Sequence, residues 1–233
     1  HSMEYRWLDL KKKPIWIHCK GYLVRDDNMK PLYMIGCVNE IGKRQKADNV
    51  SGLLGESGFR EYMNQLDTPL ETGYLLRIGI DHFKEINDNF GQEYGDFVLK
   101  KTAECISGCT SEGQKVYKLV ADEFLILDVS SDEAKDADKL YDKVREAIDR
   151  FIETNEFKVM YTVSGGIVPF AALKGNQCSE ALKLTDFALN EAKKLGRNRC
   201  YIFNGETYRK FLRKREITQE LREAVINGFQ GFT

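Results

Sequence analysis

The segment Gly73–Asp96 is the strongest constraint on what this chain can fold into. An apolar strand, Gly73–Ile80, ends on the carboxylate of Asp81 and leads straight into a polar, Asn/Asp-rich helical stretch closed by Gly95-Asp96. A second stretch, Lys118–Leu127, reads KLVADEFLIL, two apolar strands joined by a tight acidic corner. Short apolar runs bounded by turn signals are the mark of buried strands. Here they alternate with longer helical patterns, which predicts an α/β or α+β sandwich, one sheet with helices against it.

A chain of 233 residues can bury one domain of ordinary size plus something smaller. Its 42% hydrophobic and 30% charged content is that of a soluble globular protein. A formal charge of −1 gives no electrostatic case for nucleic acid or an anionic membrane as partner, so any phosphate binding has to be local. No apolar run reaches the roughly 18–20 residues of a membrane span, no signal peptide is visible, and a cytoplasmic location is expected. His1-Ser2-Met3 reads as the remnant of a tag. The six cysteines show no CxxC pair and no histidine company. Cys105 and Cys109, one helical turn apart, are expected as reduced core fillers.

Residues 4–41 read as β structure, with runs Ile15–Cys19, Tyr22–Val24 and Leu32–Val38 separated by Gly21 and by the turn at Asp26–Lys30. Residues 42–50 are polar and predict a connector helix. From Ser51 a helix is expected to run through Leu66, followed by the strand Gly73–Ile80 and helices His82–Phe90 and Tyr94–Ser107. Strands Lys115–Val120 and Glu123–Val129, helix Asp132–Thr154, strand Lys158–Val168, helix Ser179–Leu195 and strand Arg199–Phe203 complete the pattern. Near the end, Ile217, Leu221, Val225, Ile226 and Phe229 recur at helical spacing within Lys214–Phe232.

Asp-His-Phe-Lys-Glu-Ile-Asn-Asp (81–88), the Gly91…Gly95-Asp96 spacing, Ala121-Asp122-Glu123-Phe124, Val163–Ile167 and Ala192-Lys193…Gly196-Arg197-Asn198 occur in an order that resembles the GGDEF family of diguanylate cyclases. That family joins two GTP molecules into cyclic di-GMP. The resemblance covers residues 51–204 and implies a nucleotide-cyclase palm-like core: a central mixed, mainly antiparallel sheet flanked by helices. Residues 4–41 resemble the last strands of a PAS sensor domain. Residues 205–233 resemble C-terminal helices leading into an EAL phosphodiesterase domain. The implied partners are therefore PAS and EAL domains, GTP, and a second copy of the chain, with no nucleic acid.

The resemblance also assigns residues. Asn87 and Asp96 match the positions that hydrogen-bond the guanine edge, where an amide serves acceptors and a carboxylate suits the N1 and N2 donors. Taken singly, Asn87 also reads as a helix-end residue and Asp96 as a solvated acid. Lys84, Lys193 and Arg197 match contacts to phosphate, or else are ordinary surface charge. Asp81, Asp122 and Glu123 are the candidate Mg²⁺ ligands, with Asp122 and Glu123 as the catalytic signature acids.

Several positions depart from the family pattern. Gly79 stands where a metal-binding Asp is usual, on the same strand face as Asp81 because residues i and i+2 share a side. The glycine pair of the signature reads Val120-Ala121. Tight corners need positive φ, which glycine supplies freely and a β-branched valine does not, so this corner must be reshaped or the adjoining strands lengthened. Lys118 replaces an arginine and Gln92 a histidine. Ser111–Gln114 lacks the Arg-x-x-Asp of the product-inhibition site. These departures lead to the expectation of a regulatory module that binds GTP without turning it over. An active diguanylate cyclase and a structural spacer are the alternatives.

Overall fold

A computed structural model describes residues 2–8, 14–26, 28–40, 47–66, 70, 72–131, 134–154, 159–175 and 177–226. Three strands come first: β1 (Ser2–Leu8), β2 (Pro14–Arg25) and β3 (Pro31–Glu40), paired antiparallel in that order. Gly21 does not divide two strands as expected. It lies within β2 opposite Gly36, and a Cβ on Gly36 would sit 3.0 Å from the Lys20 carbonyl oxygen. Two facing glycines let the backbones run on where side chains would crowd them.

The remaining elements are β4 (Leu54–Gly55), α1 (Glu56–Asn64), β5 (Tyr74–Ile80), α2 (Phe83–Phe90), α3 (Gln92–Cys109), β6 (Gln114–Lys118), β7 (Glu123–Asp128), α4 (Ala134–Thr154), β8 (Val163–Pro169), α5 (Cys178–Lys194), β9 (Cys200–Ile202) and α6 (Gly205–Ile226). Six strands form one sheet in the order β4-β6-β7-β5-β8-β9. The three inner pairings are antiparallel and the two outer ones parallel. This is the mixed, mainly antiparallel sheet that the sequence predicts.

β5 sits at the centre and explains the two-sided core. Tyr74, Leu76, Ile78 and Ile80 face a layer containing Val98, Ile106, Tyr141 and Val144 of α3 and α4. On the opposite face, Leu75 packs with Phe59 and Met63 of α1 and Ala181 of α5. Strict alternation on a doubly covered strand makes it apolar on both faces. Arg77 interrupts that pattern.

Other differences have local causes. Residues 42–46 of the expected connector helix lie outside the described residues, and Ala47–Val50 form a turn. There the Asp48 carboxylate accepts from the Ser51 N–H and Oγ, both at 2.7 Å. This turn delivers Leu54–Gly55 as a short strand beside β6, so the helix starts at Glu56 rather than Ser51. The expected strand start, Lys158, lies outside the described residues; β8 starts at Val163, after the non-strand residues 159–162, because its partner β5 ends opposite it at Ile80. α6 begins well before Lys214: Asn204 Oδ1 accepts from the N–H groups of Glu206 and Thr207 at 3.0 Å, an N-cap. Phe187, Tyr201, Phe203, Tyr208 and Phe211 gather around its first turns. Of its expected apolar stripe, Ile217, Leu221, Val225 and Ile226 are exposed, and Phe229 lies outside the described residues. Cys105 and Cys109 pack on the core as expected.

Candidate functional site

α2 and α3 are joined only by Gly91, whose φ of +84° turns one helix directly into the next. The reversal sets Asn87 of α2 beside Asp96 of α3. Gly95 makes room for this: a Cβ there would collide with the Asn87 side chain. Together Phe83, Lys84, Asn87, Gln92, Asp96, Leu99, Ala121 and Asp122 line an open cavity of about 520 Å³. The Asn87 side chain lines it, while its amide oxygen is buried against Gly95 without a protein partner. A buried polar atom left unpaired costs roughly 1–3 kcal/mol. The structure thus gathers Lys84, Asn87, Asp96 and Asp122, four of the residues named from the sequence, into one cavity.

The hairpin corner closes the same cavity. Ala121 alone takes positive φ (+55°), while Val120 escapes it and turns its side chain to solvent, 71% exposed. The corner is therefore reshaped rather than lengthened, with the Glu123 N–H bonded to the Val120 carbonyl at 3.3 Å. Lys118 braces it from below. Its buried ammonium donates to the carbonyls of Leu119 (3.0 Å) and Ala121 and lies 5.1 Å from the centre of the Phe124 ring. Burial pushes the Lys118 pKa below the ordinary lysine value, partly offset by Asp48, Asp122 and Glu123.

The second half of the site lies on the β5–β7 edge under α5. Glu123 is directly opposite Gly79 in the ladder. Its carboxylate is gripped by the Arg77 guanidinium, through Nε at 2.7 Å and through Nη2. Arg77 also donates to the Leu182 carbonyl (3.1 Å) and stands 3.5 Å from Asp186. Lys193 reaches in from α5, its Nζ 3.9 Å from Glu123 Oε1. The space in front of Gly79 is taken: a Cβ there would lie 3.0 Å from Lys193 Nζ and 3.1 Å from Leu189 Cδ2. Asp122 has a raised pKa, first through burial and further through Glu123, with Lys193 opposing.

Asp81, expected in the same metal set, is held elsewhere. Its buried carboxylate accepts from Thr162 Oγ1 and Ser164 Oγ at 2.7 Å and from the Asn198 N–H at 3.2 Å. Three protein donors spend its lone pairs, and it ties β5 to β8 and to the loop before β9. Arg197 is on that loop at φ +61°, exposed, with its N–H bonded to the Ala192 carbonyl. Gln114, in place of the inhibitory-site acid, bonds the Ser111 N–H and Asp128.

These residues do not fit a Mg²⁺ ion. Six oxygen ligands in near-octahedral array are its requirement. Gly79 offers no side-chain oxygen, Glu123 is engaged by Arg77, and an ammonium group fills the space between them. Among the described residues no three His, Cys, Asp or Glu side chains converge as a metal site. Sequence reasoning missed Arg77. The signal was present as a lone cation in an apolar strand, two residues before Gly79 and so on the same face.

The fold agrees with comparison to known proteins. Residues 46–199 match the family described as diguanylate cyclase, GGDEF domain. The chain belongs to the GGDEF family. It is 28% identical over 183 residues to the cyclic di-GMP phosphodiesterase NbdA of Pseudomonas aeruginosa, covering 76% of this chain and 23% of that protein. It is 26% identical over 189 residues to the diguanylate cyclase VdcA of Vibrio cholerae, covering 78% and 55%. The GGDEF domain of TpbB (YfiN) from P. aeruginosa superposes with a TM-score of 0.63 at 24% identity, covering 71% of this chain and 99% of that one, a likeness of fold. The chain spans only 23% and 55% of the length of the two curated relatives.

Proposed function

We propose that this GGDEF domain is a regulatory module that binds GTP through its base and does not make cyclic di-GMP. The observation that carries the reading is the cavity between α2 and α3, where Asn87 holds an unpaired buried oxygen and Asp96 stands beside it. Asp96 accepts from guanine N1 and N2, Asn87 meets the opposite edge, and Lys84, Lys193 and Arg197 serve the phosphates. Against turnover stand the missing ligand at Gly79 and the capture of Glu123 by Arg77. Regulation follows if GTP favours one arrangement of this domain against its neighbours, for which a PAS remnant in β1–β3 and an EAL domain after α6 are the proposed candidates. No helix among the described residues is long and apolar enough to cross a membrane.

Calorimetry with GTP, and with ATP as the base control, tests the binding. Saturable GTP binding absent with ATP is expected, and no heat up to millimolar GTP would remove the reading. The competing reading, an active cyclase, is favoured by the presence of Asp122 and Glu123 in the signature. It requires two GTP-loaded copies face to face, and concentrated protein incubated with GTP and Mg²⁺ would then yield cyclic di-GMP by mass spectrometry.

A further inference from the structure

The misfit at Gly79 has a specific filling. We infer that the Lys193 ammonium is a tethered substitute for the divalent ion, so that the acid pair Asp122–Glu123 takes no metal and a nucleoside triphosphate docks beside it metal-free. The second half of this inference rests on the GTP-binding reading above.

Four observations meet here. The ammonium sits 3.0 Å from where a Gly79 side chain would begin, in the space a carboxylate would need. It stands 3.9 Å from Glu123 and is the main favourable charge acting on Asp122. Glu123 already has a second cation, Arg77, which is anchored on the Leu182 carbonyl. The cluster is shielded: the side chains of Arg77, Glu123 and Lys193 are 11%, 17% and 23% exposed.

Charge balance explains why this excludes a metal. Asp122 and Glu123 bring negative charge, with Asp186 on the far side of Arg77, and Arg77, Lys193 and the buried Lys118 return positive charge on side chains that cannot diffuse away. A divalent ion entering there loses the attraction of bare carboxylates and meets an ammonium at contact distance, where like charges repel strongly in a partly desolvated site. A triphosphate gains what the ion would have provided, since an ammonium is a compact point charge with three donors for phosphoryl oxygens. Gly79 and Lys193 are thus two parts of one exchange: the small residue makes room and the long one fills it.

The test has a metal arm and a nucleotide arm. Free Mn²⁺ alone is titrated into wild type, K193M and G79D/K193M, with binding read as loss of the free-ion paramagnetic resonance signal. Wild type is expected to bind none up to about 1 mM, the weak end of carboxylate sites, while removal of the ammonium, most of all with the carboxylate restored at position 79, creates binding. Mn²⁺ bound by wild type below that concentration overturns the inference. So does the absence of binding in both variants, which would mean that Lys193 is not what keeps the ion out. In the second arm, GTP affinity is measured in excess Mg²⁺ and in EDTA. Values within about threefold are expected, with K193M weakening binding by about tenfold or more, the scale of a charge-assisted contact. A tenfold or larger gain from Mg²⁺ overturns metal-free docking while leaving GTP binding intact. No GTP binding in either buffer removes the GTP reading instead, and the Mn²⁺ arm still decides on Lys193.

Discussion

At the α2–α3 end of the cleft, Asn87 and Asp96 line an open cavity and one buried amide oxygen is unpaired. At the β5–β7 end, Glu123 is bonded, the place of a ligand is filled, and cations from two elements close over the acids. Both ends lie on one scaffold and are joined by Asp122 and the hairpin corner. The contrast teaches that a binding half and a reacting half can part company without disturbing the fold. The first depends on a helix–glycine–helix reversal. The second depends on which charges a single strand face carries.

The sharpest way to break the contrast is to remove the clamp. R77M leaves Glu123 without its main partner in a site where both side chains are largely shielded. Chemical denaturation is expected to show a loss of about 3–5 kcal/mol, the cost of stripping one member from a buried pair. Replacing both residues with apolar ones should recover most of it. A loss below about 1 kcal/mol would mean that the pair is no more than a surface contact.

Next in size is the open end. D96A is expected to weaken GTP by a factor on the order of 10 to 100, the worth of hydrogen bonds to a charged acceptor, with the thermal midpoint of the unliganded protein nearly unmoved. Equal affinity in D96A and wild type would take the guanine pocket away.

The corner between the halves gives smaller effects. A121G relieves a left-handed alanine, a strain of about 1 kcal/mol, against the greater chain freedom glycine gives the unfolded state. A net gain of about 0.5 kcal/mol is expected by denaturant melts, with no cyclic di-GMP appearing. Turnover in A121G would show that the corner, not the clamp, is what stops the chemistry.

The smallest effect is a pH dependence at the junction. The folded-state pKa of Asp122 is raised, so the folded protein holds this proton more tightly than the unfolded chain does. Its contribution to stability is therefore most favourable below the ordinary carboxylate pKa and declines as pH rises through the raised value. D122N should match wild type near pH 3 and melt slightly higher at pH 7. A lower melting point for D122N at pH 7 would reverse the sign and point to a stabilising ionised form.

Much of the fold was legible because its signals are local. β5, β7, α2 and α5 fall within one residue of their predicted limits, where strict alternation or helical spacing meets a glycine or an acid. Two of the failures share one cause, pairing at a distance. Gly21 looks like a break until Gly36 is seen across from it, and residues 159–162 look like strand until β5 runs out. In the site, Lys84, Asn87 and Asp96 come to one cavity because a single short connection, Gly91, joins their helices, and Asp122 reaches it from the β6–β7 corner. Asp81 was misplaced because donors from 81 to 117 positions away consume its oxygens. The role of Lys118 was hidden because it serves backbone carbonyls, which carry no sequence signature.

Asp81 leaves a mechanical legacy. By holding the Asn198 N–H along with two hydroxyls of the β8 segment, it pins the turn that carries Arg197 onto the middle of the sheet. That arginine has a rigid shoulder even though its hand is in solvent. A tug at that turn reaches the central strand itself and is felt by the whole slab rather than absorbed by a slack loop.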